Sequence, residues 1–533
     1  MSTGQVEAAP GRGRRVRRVA GLIGALAILT AVGTAQATAA SLPQLHVGSE
    51  RIRDGSERQV LLRGVNDTSL TDQYQVNPSL PTVTPLEESD YEEMQSLGFN
   101  VIRLGINWSA LEPERGEISE EYIQRIADVV HNAADHGMYV VLDMHSGGWG
   151  KYVATPPDEK CPKGLRPSHG WMGAPKWATF IGVKTTCHDD KTNKRTPAAR
   201  QAWTKFWQNY SPPSWGKKAR GIQDHLVTVW ATLAREFAGE RAVAGYDLLN
   251  EPDPGYVGHG LQRFYRSRFD RHAIRAIRRS ERKAHGFHHL VLFEANLTWS
   301  QHGLASHSPK PGFSHDRNLV YAPHLYGRDV HSTARPLKGV KRDLHRQAKR
   351  ITALARQYHT PWWIGEWSFS QFDQDSFKKM IVHSKIQDSM ALGSAWWQWS
   401  VACGAPQTFD DLDPTPTHRV LGNINPTKCP EGTPRPRPKR WKGVIGRAYP
   451  RFSPGRIAKL RSRGQRMRMN GKSDCTPAKR SSSPKACKLV VWIPSSQRPK
   501  LRGHHLRNIR IQRQPGGWTA TMSVRRDYTV RTR

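Results

Sequence analysis

The chain runs to 533 residues with a net charge of +36 and 18 Trp, too long for one ordinary domain unless that domain is an α/β barrel with insertions. The charge is uneven: residues 431–533 hold 28 Lys/Arg against 3 Asp/Glu, residues 1–40 hold 5 against 1, and residues 41–430 are left with a surplus of only 7. Neither G-x-S-x-G nor H-E-x-x-H occurs, which excludes the usual serine-hydrolase and zinc-protease readings.

The N-terminus has the parts of an export signal. Arg12, Arg14, Arg15, Arg17 and Arg18 precede an Ala, Leu, Ile, Val and Gly run over 19–33, and Ala35-Gln36-Ala37 supplies a cleavage site. That run falls short of the ~20 residues of a membrane span. Residues 1–40 therefore read as a signal peptide and the mature protein as secreted.

Beyond it, strand-like and helix-like segments alternate. Val60–Val65 is the first strand candidate, followed by a helix at 86–97. Phe99–Leu104 is the second strand, and the helix at 119–136 carries Ile123, Ile126, Ala127 and Val130 at helical spacing. Met138–Met144 is the third. A long insertion at 146–219 follows, rich in Gly, Pro, Trp and Lys. A helix at 221–238 leads to the fourth strand, which runs into Asn250-Glu251-Pro252. Helix 260–284, strands His289–Glu294 and Asn318–Tyr326, helix 340–358, a strand ending at Glu366, helix 373–391 and strand Ser394–Trp399 complete the series. Eight such units predict a parallel sheet closed into a (β/α)8 TIM barrel over residues 41–430.

After residue 430 the texture changes. Pro434-Arg435-Pro436-Arg437-Pro438 reads as a stiff linker, and 461–487 as a basic, polar loop. Lys488–Ile493 reads as a strand, and Leu506–Arg513 as half of a hairpin with Trp518, Ala520, Met522 and Val524 across Pro515-Gly516-Gly517. The expectation for 431–533 is a small, strongly basic β-sandwich-like domain.

The six cysteines suit an oxidising destination, and no C-x-x-C or Cys/His spacing calls for a metal. Of the 15 possible pairings, sequence neighbours are favoured: Cys161 with Cys187, Cys403 with Cys429, and Cys475 with Cys487.

Catalytic groups on a barrel of parallel strands sit at the C-terminal strand ends. Read that way, the second strand presents Arg103, the third His145, and the fourth Asn250 and Glu251. The sixth presents His324 and Tyr326, the seventh Glu366, and the eighth Trp397 or Trp399. Two carboxyl groups facing one gap suffice to cleave a glycosidic bond. Arg103 and Tyr326 could keep Glu366 ionised as a nucleophile, while burial beside another carboxylate would keep Glu251 protonated as an acid. Asn250 could donate to a sugar 2-hydroxyl, and the last indole could floor the reacting ring. Glu294 also closes a strand and competes as a carboxylate. Arg103 could instead serve only to pair with Asp143.

The segments IRLGINWSALEP, LDMH, YDLLNEP, PHLY, IGEW and SAWWQW occur in order over residues 60–400 and resemble glycoside hydrolase family 5, a retaining family on the TIM barrel. That resemblance implies Glu251 as acid/base and Glu366 as nucleophile, with Arg103, His145, Asn250, His324, Tyr326 and Trp397 in support and no cofactor. Within the family, LRGVN, GAPKWA with its Trp177, FWQN, GIQDHLVTVW and IGRAYPRFSPG are similar to endoglycoceramidases and related glycosylceramidases. The implied reaction is hydrolysis of the bond between a glycan and ceramide. An endo-β-glucanase or mannanase, and a catalytically silent carbohydrate- or surface-binding protein, are the alternatives. One departure bears on the glycan: His145 is followed by Ser146-Gly147-Gly148-Trp149 where such enzymes carry Gln-Asp, and Asp189 or Asp190 could substitute. For the basic tail the expected partner is an anionic membrane or cell-wall surface. No nucleic-acid motif is present, so nucleic acid is not expected, and the protein is expected to be a monomer.

Overall fold

A computed structural model describes residues 42–189, 193–302, 308–327, 336–369, 375–406, 424, 439–473, 475 and 487–533. The expected signal peptide, the Pro434–Pro438 linker, Asp190 and Cys429 lie outside them.

The chain begins with three short antiparallel strands, β1 (Leu45–Gly48), β2 (Arg51–Asp54) and β3 (Arg58–Val60), and then enters β4 (Arg63–Asp67). The expected single strand Val60–Val65 is thus divided between two sheets. Its apolar run marks the crossing: Leu61 is buried in one core while Val60 and Leu62 are buried in another. A residue run apolar on both faces cannot reveal that division by periodicity alone.

From β4 the alternation proceeds as expected. Helix α1 (Glu88–Ser96) is followed by β5 (Val101–Ile106), a single-turn α2 (Trp108–Leu111), α3 (Glu120–Asp135) and β6 (Tyr139–Met144). Helix α3 starts where the Ser119 side chain accepts from the Tyr122 amide, with Glu120 and Glu121 in its first turn, and buries Ile123, Ile126 and Val130. Within the long insertion lies α4 (Pro197–Trp207), capped by Thr196, and beyond it α5 (Ile222–Glu236) and β7 (Val243–Asp247). Then come α6 (Gly258–Lys283), β8 (Leu290–Phe293), α7 (Leu297–His302), β9 (Leu319–Tyr321), α8 (Leu337–Tyr358), β10 (Ile364–Trp367), α9 (Ser376–Ser389) and β11 (Ser394–Trp396). Strands β4 to β11 form one parallel sheet in the order β10-β11-β4-β5-β6-β7-β8-β9. Its two outer strands meet through a parallel Tyr321–Trp362 bridge, with the Trp363 amide bonded to the Tyr321 carbonyl. All eight strands are buried along their whole length, as a parallel sheet covered by helices requires.

After helix α10 (Lys439–Ile445) every regular element among the described residues is a strand: β12 (Tyr449–Pro454), β13 (Arg456–Arg463), β14 (Arg466–Lys472), β15 (Lys488–Ile493), β16 (Leu501–Gln514) and β17 (Gly517–Thr532). They join β1–β3 in a nine-stranded sheet through the β12–β3 pairing, so the N-terminal 45–60 segment completes the C-terminal sheet. Residues 461–463 and 466–472, expected in a loop, are strand. Leu460, Met467 and Met469 point inward between arginines that point out, and the charge had obscured that alternation.

The two sheets are tied by buried charge. Asp388 on α9 accepts from Arg447 and Arg63 and from the Ser462 amide and hydroxyl on β13. Gly98 is required at the seam: a Cβ there would lie 2.1 Å from the Trp492 indole nitrogen. Cys161–Cys187 and Cys475–Cys487 are bridged as expected. Among the described residues no helix is long and apolar enough to cross a membrane.

Candidate active site

Six successive strands, β5 to β10, deliver carboxylates or their partners to one end of the parallel sheet. At the centre lies Arg103 of β5, fully buried. It donates to Asp247 (3.0 Å), Glu294 (2.6 Å), Glu366 (3.0 Å), Asn250 (3.1 Å) and Asn66 (3.0 Å), and pairs with Asp143 at 2.9 Å. The reading in which Arg103 serves only to pair with Asp143 therefore does not hold. Arg103 pairs with Asp143 and it holds Glu366. Four carboxylates raise its pKa against the opposing effect of burial. The Asp247 pKa is raised too, pushed up to about 7 by burial and by Glu294 against the Arg103 guanidinium.

Glu366 sits within β10 and receives a second bond from the Tyr326 hydroxyl at 2.8 Å. Gly365 beside it makes room: a Cβ there would meet the Ala322 carbonyl at 2.9 Å and the His324 ring at 3.2 Å. His324 contacts both glutamates through Nδ1, at 2.9 Å to Glu251 and 3.3 Å to Glu366, and reaches Glu294 at 3.3 Å through Nε2. Burial disfavours its charge, but three carboxylates hold its pKa well above the usual value, so it stands as an imidazolium.

Glu251 follows β7 with φ at +39°, a backbone state that non-glycine residues adopt at a cost of about 1–3 kcal/mol. Its amide donates to Glu294 Oε2 at 3.0 Å, which holds the turn. Oxygens of Glu251 and Glu366 lie within 4.8 Å of one another. Sequence reasoning expected Glu251 to be protonated through burial and a neighbouring carboxylate. Burial does raise its pKa, but the Lys194 ammonium 3.6 Å away and the His324 imidazolium outweigh it, and Glu251 is held well below the usual carboxylate range. The resting group is a carboxylate.

Around the pair, Asp143 holds His145 Nδ1 at 2.6 Å, and the His145 ring stacks on Trp397 at 5.2 Å between centroids. Asn250 donates to the Ser146 carbonyl while the Ser146 hydroxyl donates to the Asn250 carbonyl, each at 3.0 Å. Ser146, where relatives were expected to carry glutamine, therefore orients Asn250. Asp189 is exposed with no recorded tie to the cluster. Trp177 is not part of it: its indole donates to the Glu112 carbonyl and packs on Trp108, Trp215 and His225. The structure therefore brings together Arg103, His145, Asn250, Glu251, His324, Tyr326, Glu366 and Trp397, and leaves Trp177 in the wall of the insertion. Lys194 and Asn66 were missed: Lys194 enters from the insertion, and Asn66, although it directly follows the first strand candidate, was not read as a strand-end group.

Two donor triads in the described residues lie close enough for a cation, Glu251/His324/Glu366 and Asp143/Asp247/Glu294. The second already surrounds the Arg103 guanidinium, and the first contains the His324 imidazolium. A cavity of ≈ 500 Å³ lies elsewhere, lined by Leu61, Leu62, Arg356, Trp362, Trp363 and Gly393, without either glutamate of the pair.

Comparison with known proteins follows the same lines. Residues 72–402 match the family model described as Cellulase (glycosyl hydrolase family 5). Endoglycoceramidase I of Rhodococcus hoagii (strain 103S) is 29% identical over 301 residues, 54% of this chain and 54% of that protein. This chain thus matches about half the length of that relative. A crystal structure of an endogalactoceramidase superposes with a TM-score of 0.79 at 35% identity, covering 92% of this chain and 100% of that one. A ganglioside GM3 complex of endo-glycoceramidase II from Rhodococcus sp. shares the fold at a TM-score of 0.67 and 19% identity, covering 91% and 99%.

Proposed function

Because the chain belongs to glycosyl hydrolase family 5, we propose that it cleaves the β-glycosidic bond between a glycan and ceramide with retention of configuration, on a (β/α)8 barrel with a β-sandwich-like C-terminal domain. The observation that carries this reading is the approach of the Glu251 and Glu366 oxygens to within 4.8 Å. Retaining enzymes hold their carboxyl groups about 5–5.5 Å apart, whereas inverting ones leave about 6.5–9.5 Å for a water.

In the first step Glu251, a carboxylate at rest, takes up a proton from solvent as substrate displaces Lys194; Glu366 then attacks the anomeric carbon, the bond to the ceramide oxygen breaks, and Glu251 gives that oxygen the proton. In the second, the Glu251 carboxylate takes a proton from water, whose oxygen displaces Glu366 from the same carbon. Arg103 and Tyr326 aim the attacking carboxylate by one hydrogen bond to each of its oxygens. Asn250, oriented by Ser146, faces the 2-hydroxyl, and Trp397, stacked on His145, floors the ring.

A lipid as leaving group is supported by what lies past Glu251. Tyr256, Leu261 and Phe264, at the entry and first turns of α6, are 48%, 56% and 55% exposed. Apolar surface of this kind marks contact with lipid or another apolar partner. The two bridged cysteine pairs and the N-terminal signal support an exported protein. Fluorescent glucosylceramide, lactosylceramide and ganglioside should release ceramide and a glycan of retained anomeric configuration. Turnover of soluble β-glucan or mannan alone would overturn the ceramide assignment, and inversion would overturn the mechanism.

A further inference from the structure

The C-terminal sheet carries an arrangement that cross-strand energetics disfavour. In register, Arg461 of β13 lies opposite Arg468 of β14, Arg468 opposite Arg531 of β17, and Arg531 opposite Arg502 of β16. Four arginines thus stand side by side across four neighbouring strands, all exposed. Residues directly opposite in an antiparallel pair project from the same face, and like charges there are destabilising. The same face adds Arg463 opposite Arg466, with Lys459 and Lys472 farther along β13 and β14. The inward-facing alternates are Leu460, Met467, Met469 and Val530, all buried. Strands β13, β14 and β16 contain no Asp or Glu, and among the described residues no ion pair is recorded for any of the four arginines.

We propose that this face docks the enzyme on a bilayer containing anionic lipid. Strands lie about 4.8 Å apart, so the row spans roughly 14 Å, and residues 459–463 extend it along the strand by about 13 Å. The cations fill a two-dimensional array on the outside of a sheet, the shape complementary to a plane of headgroup phosphates. A linear polyanion would need a single track or a groove. Each guanidinium can take a phosphate by two parallel hydrogen bonds, which compensates the mutual repulsion of the row. The choice of a bilayer over another anionic surface rests on the glycolipid substrate proposed above. Docking and hydrolysis are nevertheless separate events with separate readouts.

The test is co-sedimentation of the full chain with phosphatidylcholine vesicles, with and without phosphatidylglycerol and without glycolipid, at low and high salt. Preferential binding to the anionic vesicles that salt abolishes is expected. Combining Arg461→Ser, Arg468→Ser, Arg502→Ser and Arg531→Ser should weaken that binding about fivefold per arginine removed. Thermal unfolding of the variant should stay level or rise, because a like-charge row has been removed, and its hydrolysis of a soluble aryl glycoside should not change. Equal binding to neutral and anionic vesicles overturns the proposal. So does vesicle binding that survives the four substitutions while binding to heparin or duplex DNA falls, since that pattern identifies a soluble polyanion as the ligand.

Discussion

The Lys194 ammonium stands 3.6 Å from Oε2 of Glu251, while Oε1 of the same carboxylate accepts from His324. The oxygen that would face a leaving group is therefore already paired. Lys194 is held there from behind. Its backbone packs on Gly148, and the neighbouring Arg195 bonds buried Asp253 at 2.7 Å. Substrate must displace or share this cation before Glu251 can protonate a glycosidic oxygen.

A pH profile of kcat/KM follows from that contact. Glu251 acts first as an acid, so kcat/KM falls as pH rises through its pKa in the free enzyme. Lys194 lowers that pKa. Lys194→Met removes the cation, leaves burial to raise the pKa, and should move the basic limb upward by about one pH unit. Lys194→Arg should leave it in place. A basic limb unmoved in Lys194→Met would mean that another group sets it.

The two glutamates should separate by leaving group. Glu251→Ala should lose about 10²–10⁴ in kcat on a lipid-linked substrate, whose alkoxide needs a proton to depart. On an aryl glycoside with an acidic phenol the loss should be much smaller in the first step. Glu366→Ala should be inactive on both, because no other carboxylate in the cluster is free to attack: Glu294 is buried and bonded to Arg103 and the Glu251 amide. Comparable activity of Glu366→Ala and the parent on the aryl substrate would remove Glu366 from the mechanism.

Gly365→Ala tests how far the pair depends on His324. The added methyl would stand 3.2 Å from the His324 ring and 2.9 Å from the Ala322 carbonyl, so the imidazole must give way. Because Nδ1 of that ring touches both glutamates, a shift of a few tenths of an ångström reaches both. We expect kcat to fall at least tenfold with little change in KM for aryl glycoside, and Tm to drop by only a few degrees. Retention of full kcat would show that His324 orients neither group.

Much of this site was legible before any coordinates because the fold converts strand ends into neighbours. Asn250-Glu251 and Glu366 each follow a short apolar run, and the parallel register brings those ends together. Lys194 followed no such rule. It enters from an insertion whose path is set by the Cys161–Cys187 bridge, Gly148 and helix α4, none of which has a period to read. Trp177 failed for a related reason: its motif placed it near the site in sequence, but its indole is taken up by Trp108, Trp215 and the Glu112 carbonyl. The protonation of Glu251 was misjudged because it depended on that same unseen lysine. In the C-terminal region, arginines and lysines on most outward positions hid two strands whose inward residues are Leu460, Met467 and Met469.

Stability toward acid should hinge on Asp388. It is buried between Arg447 and Arg63, and although burial raises its pKa, the two guanidinium groups and their hydrogen bonds outweigh that and lower it. A carboxylate whose pKa is lower folded than unfolded contributes stability that is fully present above its unfolded value, near 3.9, and is lost as pH falls through the folded value. Its contribution is therefore constant across neutral pH and fails only below about pH 4. Asp388→Asn should remove it at every pH. The variant leaves Arg63 and Arg447 buried without an anion and weakens the tie to Ser462 on β13, so a loss of about 3–5 kcal/mol is expected in urea unfolding at pH 7. Because the same carboxylate joins α9 to the C-terminal sheet, the parallel and antiparallel sheets should then unfold in two resolved transitions where the parent shows one. A single transition at an unchanged midpoint would show that the seam is held by Tyr449, Trp492 and their apolar neighbours without help from this charge.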